Sequence, residues 1–120
     1  MSESQLYGEI LKEYSRGDTR LFRINAGDIA WQGTVLERTH NRIVLSPYRA
    51  IKLAAPGISD LVGWTSVAGT AIFAAIEVKA GRGKLRPEQA AFIDLVLKHG
   101  GYAGVARSVE EAGLILKRGY

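Results

Sequence analysis

The amino-acid sequence predicts an α/β domain, because helix and strand patterns alternate along the chain. Apolar residues recur at helical spacing near the amino terminus, and residues 71–79 form an apolar run with the length of a strand. This run carries charge only in its last residues, so we expect neighbouring elements to cover both of its faces. The chain has 120 residues, of which 47% are hydrophobic, and this fits one domain spanning residues 1–120.

The first predicted elements are a helix over residues 3–16 and a strand over residues 19–25. Ser2 and Gln5 have the spacing of a capping box, which favours a helix start at residue 3. In the strand, apolar and polar side chains alternate, and a turn at residues 26–28 ends it.

Residues 28–55 are predicted to form a hairpin followed by a weaker strand. The hairpin pairs residues 29–36 with residues 42–45, Pro47 closes it, and residues 48–53 form the weaker strand. Two interpretations stay open: a basic and aromatic surface for nucleic acid, or a solvated hairpin with a few packed aromatic residues. The side chains concerned are Trp31, Arg42, Tyr48, Arg49 and Lys52.

The second half of the chain supplies the remaining strands and two helices. The pattern predicts, in order, a strand at 60–64, a turn at 65–69, the central strand at 71–79, a helix at 87–99, a strand at 102–106 and a helix at 108–117. Pro87 suits the first turn of its helix, and the glycines at 100–101 end that helix.

Charge and cysteine content limit the possible classes of function. Sixteen Lys and Arg against twelve Asp and Glu give a net charge of +4, which suits a polyanionic partner without requiring one. The absence of cysteine excludes disulfides and thiolate metal sites. The amino terminus lacks the basic and apolar regions of a signal peptide, and Pro56 and glycines break the longest weakly charged stretch. We therefore expect a cytoplasmic protein that does not enter a membrane.

Three charged residues mark the strongest candidate for a functional site. Glu77 and Lys79 lie two residues apart on the central strand and share a face, while the Val78 side chain packs on the other. Asp60 comes just before the neighbouring strand. Two carboxylates with backbone carbonyls, such as that of Val78, are ligands that Mg²⁺ or Mn²⁺ prefers, and a nearby lysine can assist phosphodiester hydrolysis. A strand-end ion pair is the alternative interpretation.

A basic segment connects the central strand to the following helix. Arg82, Lys84 and Arg86 could contact DNA phosphates, or they could form an exposed basic turn. A nucleotide-binding loop is excluded, because the residue after the lysine is neither Ser nor Thr. Gln89, in the first turn of the helix, could reach back towards Glu77 or could face solvent.

The first helix carries an acid on its apolar side. Glu3 lies on that face, four residues before Tyr7, whereas Glu9 lies on the flank. Glu3 could be a site residue, or it could simply interact favourably with the helix dipole.

Four segments of the sequence resemble the VRR-NUC domain, the virus-type replication-repair nuclease family of the PD-(D/E)XK superfamily. They are Gly57-Ile58-Ser59-Asp60-Leu61-Val62-Gly63-Trp64, Ile76-Glu77-Val78-Lys79, Gly83-Lys84-Leu85-Arg86-Pro87-Glu88-Gln89 and Gly104-Val105-Ala106-Arg107-Ser108-Val109-Glu110-Glu111-Ala112. The resemblance extends over nearly the whole chain and favours the small stand-alone type found in phages and prophages. One departure is Ser59, where many members have proline.

The resemblance implies a PD-(D/E)XK core, in which helices flank a central mixed β-sheet. It also implies Mg²⁺- or Mn²⁺-dependent DNA endonuclease activity, often on branched DNA such as a Holliday junction, carried out by a homodimer. By position, Asp60 and Glu77 would be metal ligands, Lys79 the catalytic lysine and Gln89 the motif glutamine. Arg23 lies in a segment that is similar to the first strand of the family, and we expect it to contact DNA.

The resemblance also favours Glu3 over Glu9 as a further metal ligand. The first-helix acid of the family stands three residues before an aliphatic residue, and Glu3 stands three residues before Leu6. This agrees with the position of Glu3 on the apolar face of the helix.

Two other hypotheses stay open. The chain could be a non-catalytic DNA-binding or assembly module that retains the nuclease fold, or a phage protein that binds a host factor. The presence of Asp60, Glu77 and Lys79 together speaks against the non-catalytic module, because a degenerate site usually loses one of its residues.

Overall fold

A computed structural model of the chain confirms the α/β fold and describes residues 1–24, 29–52 and 55–118. The elements in chain order are α1 (Glu3–Tyr14), β1 (Thr19–Arg23), β2 (Ile29–Thr39), β3 (Arg42–Lys52), β4 (Leu61–Val67), β5 (Thr70–Val78), α2 (Pro87–Lys98), β6 (Tyr102–Ala106) and α3 (Val109–Arg118). None of the described helices is long and apolar enough to span a bilayer.

Four of the strands form a mixed sheet in the order β1-β4-β5-β6. β4 pairs antiparallel with both β1 and β5, whereas β6 runs parallel to β5. A parallel pair needs a long crossover, and α2 supplies it between β5 and β6. The predicted central mixed sheet flanked by helices is therefore confirmed.

The two faces of this sheet are covered to different extents. α1 and α3 pack on one face, where Ile10, Ile76 and Ile115 are fully buried in one apolar cluster. Burial of each such side chain contributes about 1.5–3 kcal/mol to stability. α2 packs on the other face, in a smaller cluster that contains Ala75 and Ile93. α2 therefore encloses only part of its face.

The prediction that both faces of the central strand are covered holds only for its carboxyl-terminal half. Residues 74–78 are buried, but Phe73 is 46% exposed. Phe73 pairs with Trp64 of β4, which is also exposed. Both residues lie on the face of the sheet that α2 covers, but beyond the small cluster under α2. The candidate site residues thus lie at the well-packed end of β5.

The predicted turn at residues 65–69 is wrong, because β4 continues to Val67. Thr65 pairs with Ile72 across the antiparallel β4–β5 hairpin. Only Ala68 and Gly69 form the turn, with φ angles of 49° and 81°. Two consecutive left-handed residues suit a tight hairpin, so the strands can run closer to the turn than the sequence pattern indicated.

The predicted break at Pro47 is also wrong. β3 is continuous through Pro47, and the predicted weaker strand at residues 48–53 is its second half as far as residue 52; residue 53 lies outside the described residues. The β2–β3 register shifts on either side of Val35, opposite the stretch that contains Pro47. Proline is tolerated at such an irregularity, since it cannot donate a ladder hydrogen bond.

The strands β2 and β3 form a separate two-stranded ribbon, called the arm below (residues 29–52). In the described chain, neither arm strand packs extensively against any other helix or strand. The molecule measures 52 × 31 × 31 Å, and its radius of gyration is 17.1 Å. A compact domain of this length has a radius of gyration of about 14 Å. The arm therefore gives the chain an elongated shape.

The remaining boundaries follow the sequence pattern closely. The capping box of Ser2 and Gln5 is present and starts α1 at Glu3, as predicted. α1 ends at Tyr14, two residues earlier than predicted. β1 ends at Arg23; residue 25 and the predicted turn at residues 26–28 lie outside the described residues.

Candidate active site

Two carboxylates from neighbouring strands lie together at one end of the sheet. Glu77 is the penultimate residue of β5, and Asp60 immediately precedes β4. Because Leu61 pairs with Ile76, the antiparallel register brings Asp60 alongside the last residues of β5. The backbone N–H of Val78 donates to Asp60 Oδ2 at 2.9 Å, which fixes the carboxylate at this position.

Glu77 is the most deeply buried charged residue described in the chain, with 1% of its surface exposed. Its Oε1 accepts a hydrogen bond from Gln89 Nε2 at 2.9 Å and lies 3.7 Å from Lys79 Nζ. Its Oε2 is buried and has no hydrogen-bond partner among the described residues. A side-chain hydrogen bond between Glu77 and Asp60 requires the proton of a protonated carboxyl, so this oxygen is open to an outside ligand only when that proton is lost.

The electrostatics of this pair favour the protonated form of Glu77. Burial first, and then the hydrogen bond and negative charge of the adjacent Asp60 carboxylate, together raise the pKa of Glu77 to about 8, although the Lys79 ammonium acts in the opposite direction. A carboxyl group with this pKa holds a proton at neutral pH. The site is thus short of positive charge when no cation is bound.

α2 holds Gln89 against Glu77. Pro87 occupies the first turn of α2, and the backbone N–H of Arg86 donates to Gln89 Oε1 at 2.9 Å. This bond turns the amide NH₂ of Gln89 towards Glu77, and Gln89 is only 6% exposed. Of the two interpretations given above for Gln89, the structure shows the reach towards Glu77.

Lys79 directly follows β5, and its side chain lies beside Glu77. Its side chain is 14% exposed, and its backbone N–H donates to the carbonyl of Ala106 at 3.1 Å. The contact with Glu77 and a role in chemistry are compatible, because a lysine held beside the Glu77 carboxyl group is also beside any ligand of that group.

The first turn of α1 reaches the segment that follows β5. Glu3 Oε1 accepts a hydrogen bond from the backbone N–H of Ala80 at 3.3 Å, whereas Glu9 is exposed to solvent. Glu3 is itself exposed, so its hydrogen bond to Ala80, and not its burial, is what places Glu3 rather than Glu9 at the edge of the site. Glu3 is held by a backbone donor there, so it is a weaker candidate for a ligand than Asp60 or Glu77.

Tyr7 is a site residue that the sequence analysis treated only as part of the apolar face of α1. Its ring is buried, and burial followed by the adjacent Asp60 carboxylate raises the pKa of its hydroxyl. The guanidinium of Arg23 stacks over the ring, 4.3 Å from its centroid. The available signal was the spacing of four residues between Glu3 and Tyr7, which places both on one side of a helix.

Three of the predicted DNA-contacting residues lie next to the site on a segment whose basic side chains are exposed. Arg82, Lys84 and Arg86 are exposed on the segment between β5 and α2, and Arg86 lies 3.4 Å from Glu88. Arg107, which follows β6 and which sequence reasoning missed, donates from Nη1 to the Gly81 carbonyl at 3.1 Å and so supports this segment.

The donor set suits a hard divalent cation. Carboxylate and carbonyl oxygens are the ligands that Mg²⁺ and Mn²⁺ take, and Glu77 offers a buried oxygen without a partner beside Asp60. Among residues 1–24, 29–52 and 55–118, no three Asp, Glu, His or Cys residues converge as a ready metal site. The fit therefore rests on two carboxylates, Asp60 and Glu77, with the remaining ligands coming from backbone or solvent.

The comparisons with known proteins give one match. A family model described as the VRR-NUC domain matches residues 9–110, which include Asp60, Glu77, Lys79 and Gln89 but not Glu3. Comparisons with curated proteins and with solved structures find no match.

Proposed function

The chain belongs to the VRR-NUC family, and on that basis we propose that it is a metal-dependent DNA endonuclease selective for branched DNA. Membership supports a nuclease that acts on DNA; metal dependence and selectivity for structure are our proposal. The observation that carries it is the buried Oε2 of Glu77, which has no partner in the described chain and lies beside Asp60.

In this proposal, Asp60 and Glu77 hold a Mg²⁺ or Mn²⁺ ion, with the carbonyl of Val78 and the carboxylate of Glu3 as further ligands. When bound, the ion supplies a water of lowered pKa and neutralises charge on the phosphate. It would also offset the burial of Glu77 and its repulsion by Asp60, which together favour the protonated form of Glu77.

The other residues of the site position the reacting groups. Gln89 holds Oε1 of Glu77, so that the second oxygen stays directed to the ligand. Lys79 places an ammonium beside the same carboxylate, where it stabilises negative charge that develops on the phosphate. Arg23, Arg82, Lys84 and Arg86 bind the DNA backbone and carry no base specificity.

Selectivity for branched DNA is proposed together with a homodimer. A four-way junction is resolved by two symmetrically placed cuts, and two copies of the chain supply two sites. The strongest competing function is a non-catalytic DNA-binding or assembly module, which would retain the fold and bind DNA without cutting it.

Cleavage of labelled four-way junction, splayed-arm and linear duplex DNA tests the proposal. We expect cutting in Mg²⁺ or Mn²⁺, none in EDTA, and a loss of at least about 100-fold in rate for Lys79→Ala, in the range of removing one electrostatic catalytic group. Lys98→Ala is the matched control, because Lys98 is exposed at the far end of α2.

Three outcomes would count against the proposal. Cutting that persists in EDTA contradicts metal dependence, and equal cutting of all three DNA substrates contradicts structure selectivity. Binding of the junction without cutting in either metal would favour the non-catalytic module.

A further inference from the structure

The arm is a ribbon with an apolar face on which no other described helix or strand packs extensively. Trp31, Val35, Ile43, Leu45 and Tyr48 line a groove of about 640 Å³ on that face. Trp31 is 59% exposed and Tyr48 is 66% exposed, and their ring centroids are 5.7 Å apart. A ribbon with one apolar and one polar face is typical of a sheet that buries its apolar face against something else.

The opposite face of the arm is polar and largely paired within itself. Arg42 forms an ion pair with Glu37 at 3.4 Å, and Arg49 Nε donates to Gln32 Oε1 at 2.7 Å. Glu37, Arg42 and Arg49 do not line the groove, whereas Gln32 lies at it and is held by Arg49. Trp31 and Tyr48 both line the groove, so these two exposed aromatic residues lie on one side of the arm.

The apolar face does not suit DNA. Binding a duplex depends on cations that neutralise phosphates, and Arg38 is the only charged side chain of the described chain that lines the groove. Arg42 and Arg49 point to the other face and already have partners there. The groove therefore does not suit a DNA duplex, and an apolar protein surface fits it better.

A second copy of the chain meets this requirement without any additional component. An isolated two-stranded hairpin is marginally stable in water, yet the described body of the chain does not cover the arm. Two identical ribbons can stack face to face about a twofold axis, about 10 Å apart, and each then buries the apolar face of the other.

The dimensions of the arm set the size of such a contact. Strands of 11 residues make a ribbon about 36 Å long and about 10 Å wide, which is a flat area of about 360 Å². This is below the ~800 Å² per partner of a standard interface, so two stacked arms form an interface at the small end of the range.

We propose that the arm is the dimerisation surface of this protein, and that two arms stack through Trp31, Val35, Ile43, Leu45 and Tyr48. This inference rests on the homodimer of the proposed function and assigns its contact surface. It does not depend on cleavage activity, so the two can fail separately.

Sedimentation of the full chain without DNA or metal tests this assignment. We expect a mass near twice the 13.0 kDa of one chain at about 20 µM for the wild type. The double substitution Trp31→Thr with Tyr48→Thr retains strand propensity and removes the aromatic pair. We expect it to sediment as a monomer, or to raise the dimer dissociation constant at least tenfold.

A matched control places the same residue on the polar face. Glu37→Thr with Arg42→Thr also changes one residue in each arm strand, removes no net charge, and is expected to leave the dimer intact. Hydrogen exchange of the wild type gives a second readout that needs no variant: amides of residues 29–52 should gain protection as the protein concentration rises.

Several results would overturn the assignment. They are a monomeric wild type at this concentration, an aromatic variant that remains a dimer, or exchange in the arm that does not depend on concentration. An aromatic variant that keeps its oligomeric state but binds duplex DNA at least tenfold more weakly would identify DNA as the occupant instead.

Discussion

At Glu77, burial in the fold opposes the negative charge that a metal-binding carboxylate needs. The fold buries its carboxylate beside Asp60 and compensates only one of its two oxygens, through Gln89 and Lys79. Burial is therefore the main reason that its pKa rises to about 8. The burial of this carboxyl group is therefore unfavourable to its ionised form, and under the proposed function a bound divalent cation would offset that effect.

The raised pKa of Glu77 predicts that metal-free stability falls as pH rises. Between about pH 4.5 and pH 8 the folded protein keeps the Glu77 proton, while the unfolded chain has released it. The stability that the Glu77 proton contributes is fully present below pH 4.5 and decreases as pH rises from 4.5 through 8. We expect the free energy of unfolding in EDTA to fall by at least about 1 kcal/mol between pH 5.5 and pH 8.5.

Two variants isolate the contribution of Glu77 to this pH dependence. Glu77→Gln cannot ionise, so its stability should change less over the same range in urea unfolding. Glu9→Gln changes an exposed acid on α1 and should behave like the wild type. If Glu77→Gln loses as much stability as the wild type, another group is responsible and Glu77 is ionised in the metal-free protein.

At the residue scale, the sequence predicted which side chains meet but not their environment. The two-residue spacing of a strand places Glu77 and Lys79 on one face, and Pro87 at a helix start places Gln89 within reach. The unpartnered oxygen of Glu77 and the position of Tyr7 beside Asp60 depend on how α1 and α2 pack. No local spacing encodes that packing.

Gly57 joins two elements that carry the site. It lies in the turn before Asp60, with a φ of 82°, and a Cβ there would overlap the backbone carbonyl of Glu88 in α2. This close approach keeps the first turn of α2, and with it Gln89, next to the start of β4. Only glycine meets both requirements.

We predict that Gly57→Ala destabilises the protein by about 2 kcal/mol or more, since it combines left-handed strain with a backbone overlap. It should also slow DNA cleavage, because α2 must move away from Glu77. Thermal unfolding and cleavage of the junction measure the two effects.

Gly17→Ala is the control for backbone strain alone. Gly17 follows α1 with a φ of 60° and has open space around its Cα. We expect it to cost about 1 kcal/mol with cleavage unchanged. Equal effects of the two substitutions would mean that the contact between Gly57 and Glu88 contributes nothing.

At the element scale, the sequence predicted the order and type of elements but misplaced several ends. The helices were located by their caps and apolar spacing, which are local signals. The β4–β5 turn was misjudged because Ala68 adopts a left-handed conformation usually reserved for glycine or asparagine. Pro47 was misjudged because the irregular β2–β3 register that accommodates it is visible only in the paired strands.

At the scale of the whole molecule, two groups of basic side chains have different surroundings. The segment between β5 and α2 carries Arg82, Lys84 and Arg86 on exposed backbone next to the site. The arm carries Arg38, Arg42 and Arg49, of which the last two are paired on its polar face. The net charge of +4 does not distinguish between these two places, but the structure does.

The salt dependence of junction binding should therefore report the site segment and not the arm. Each phosphate contact contributes a slope of about −0.9 to log K against log salt concentration. Replacing Arg82, Lys84 and Arg86 by Gln should make the slope less steep by about 2 to 3. The same replacement at Arg38, Arg42 and Arg49 removes equal charge and should change the slope by less than about 1. Fluorescence anisotropy in Ca²⁺ or EDTA, from about 50 to 200 mM salt, measures both. A larger change for the arm variant would show that DNA lies along the arm, and it would contradict both the proposed DNA contacts and the role of the arm as a protein interface.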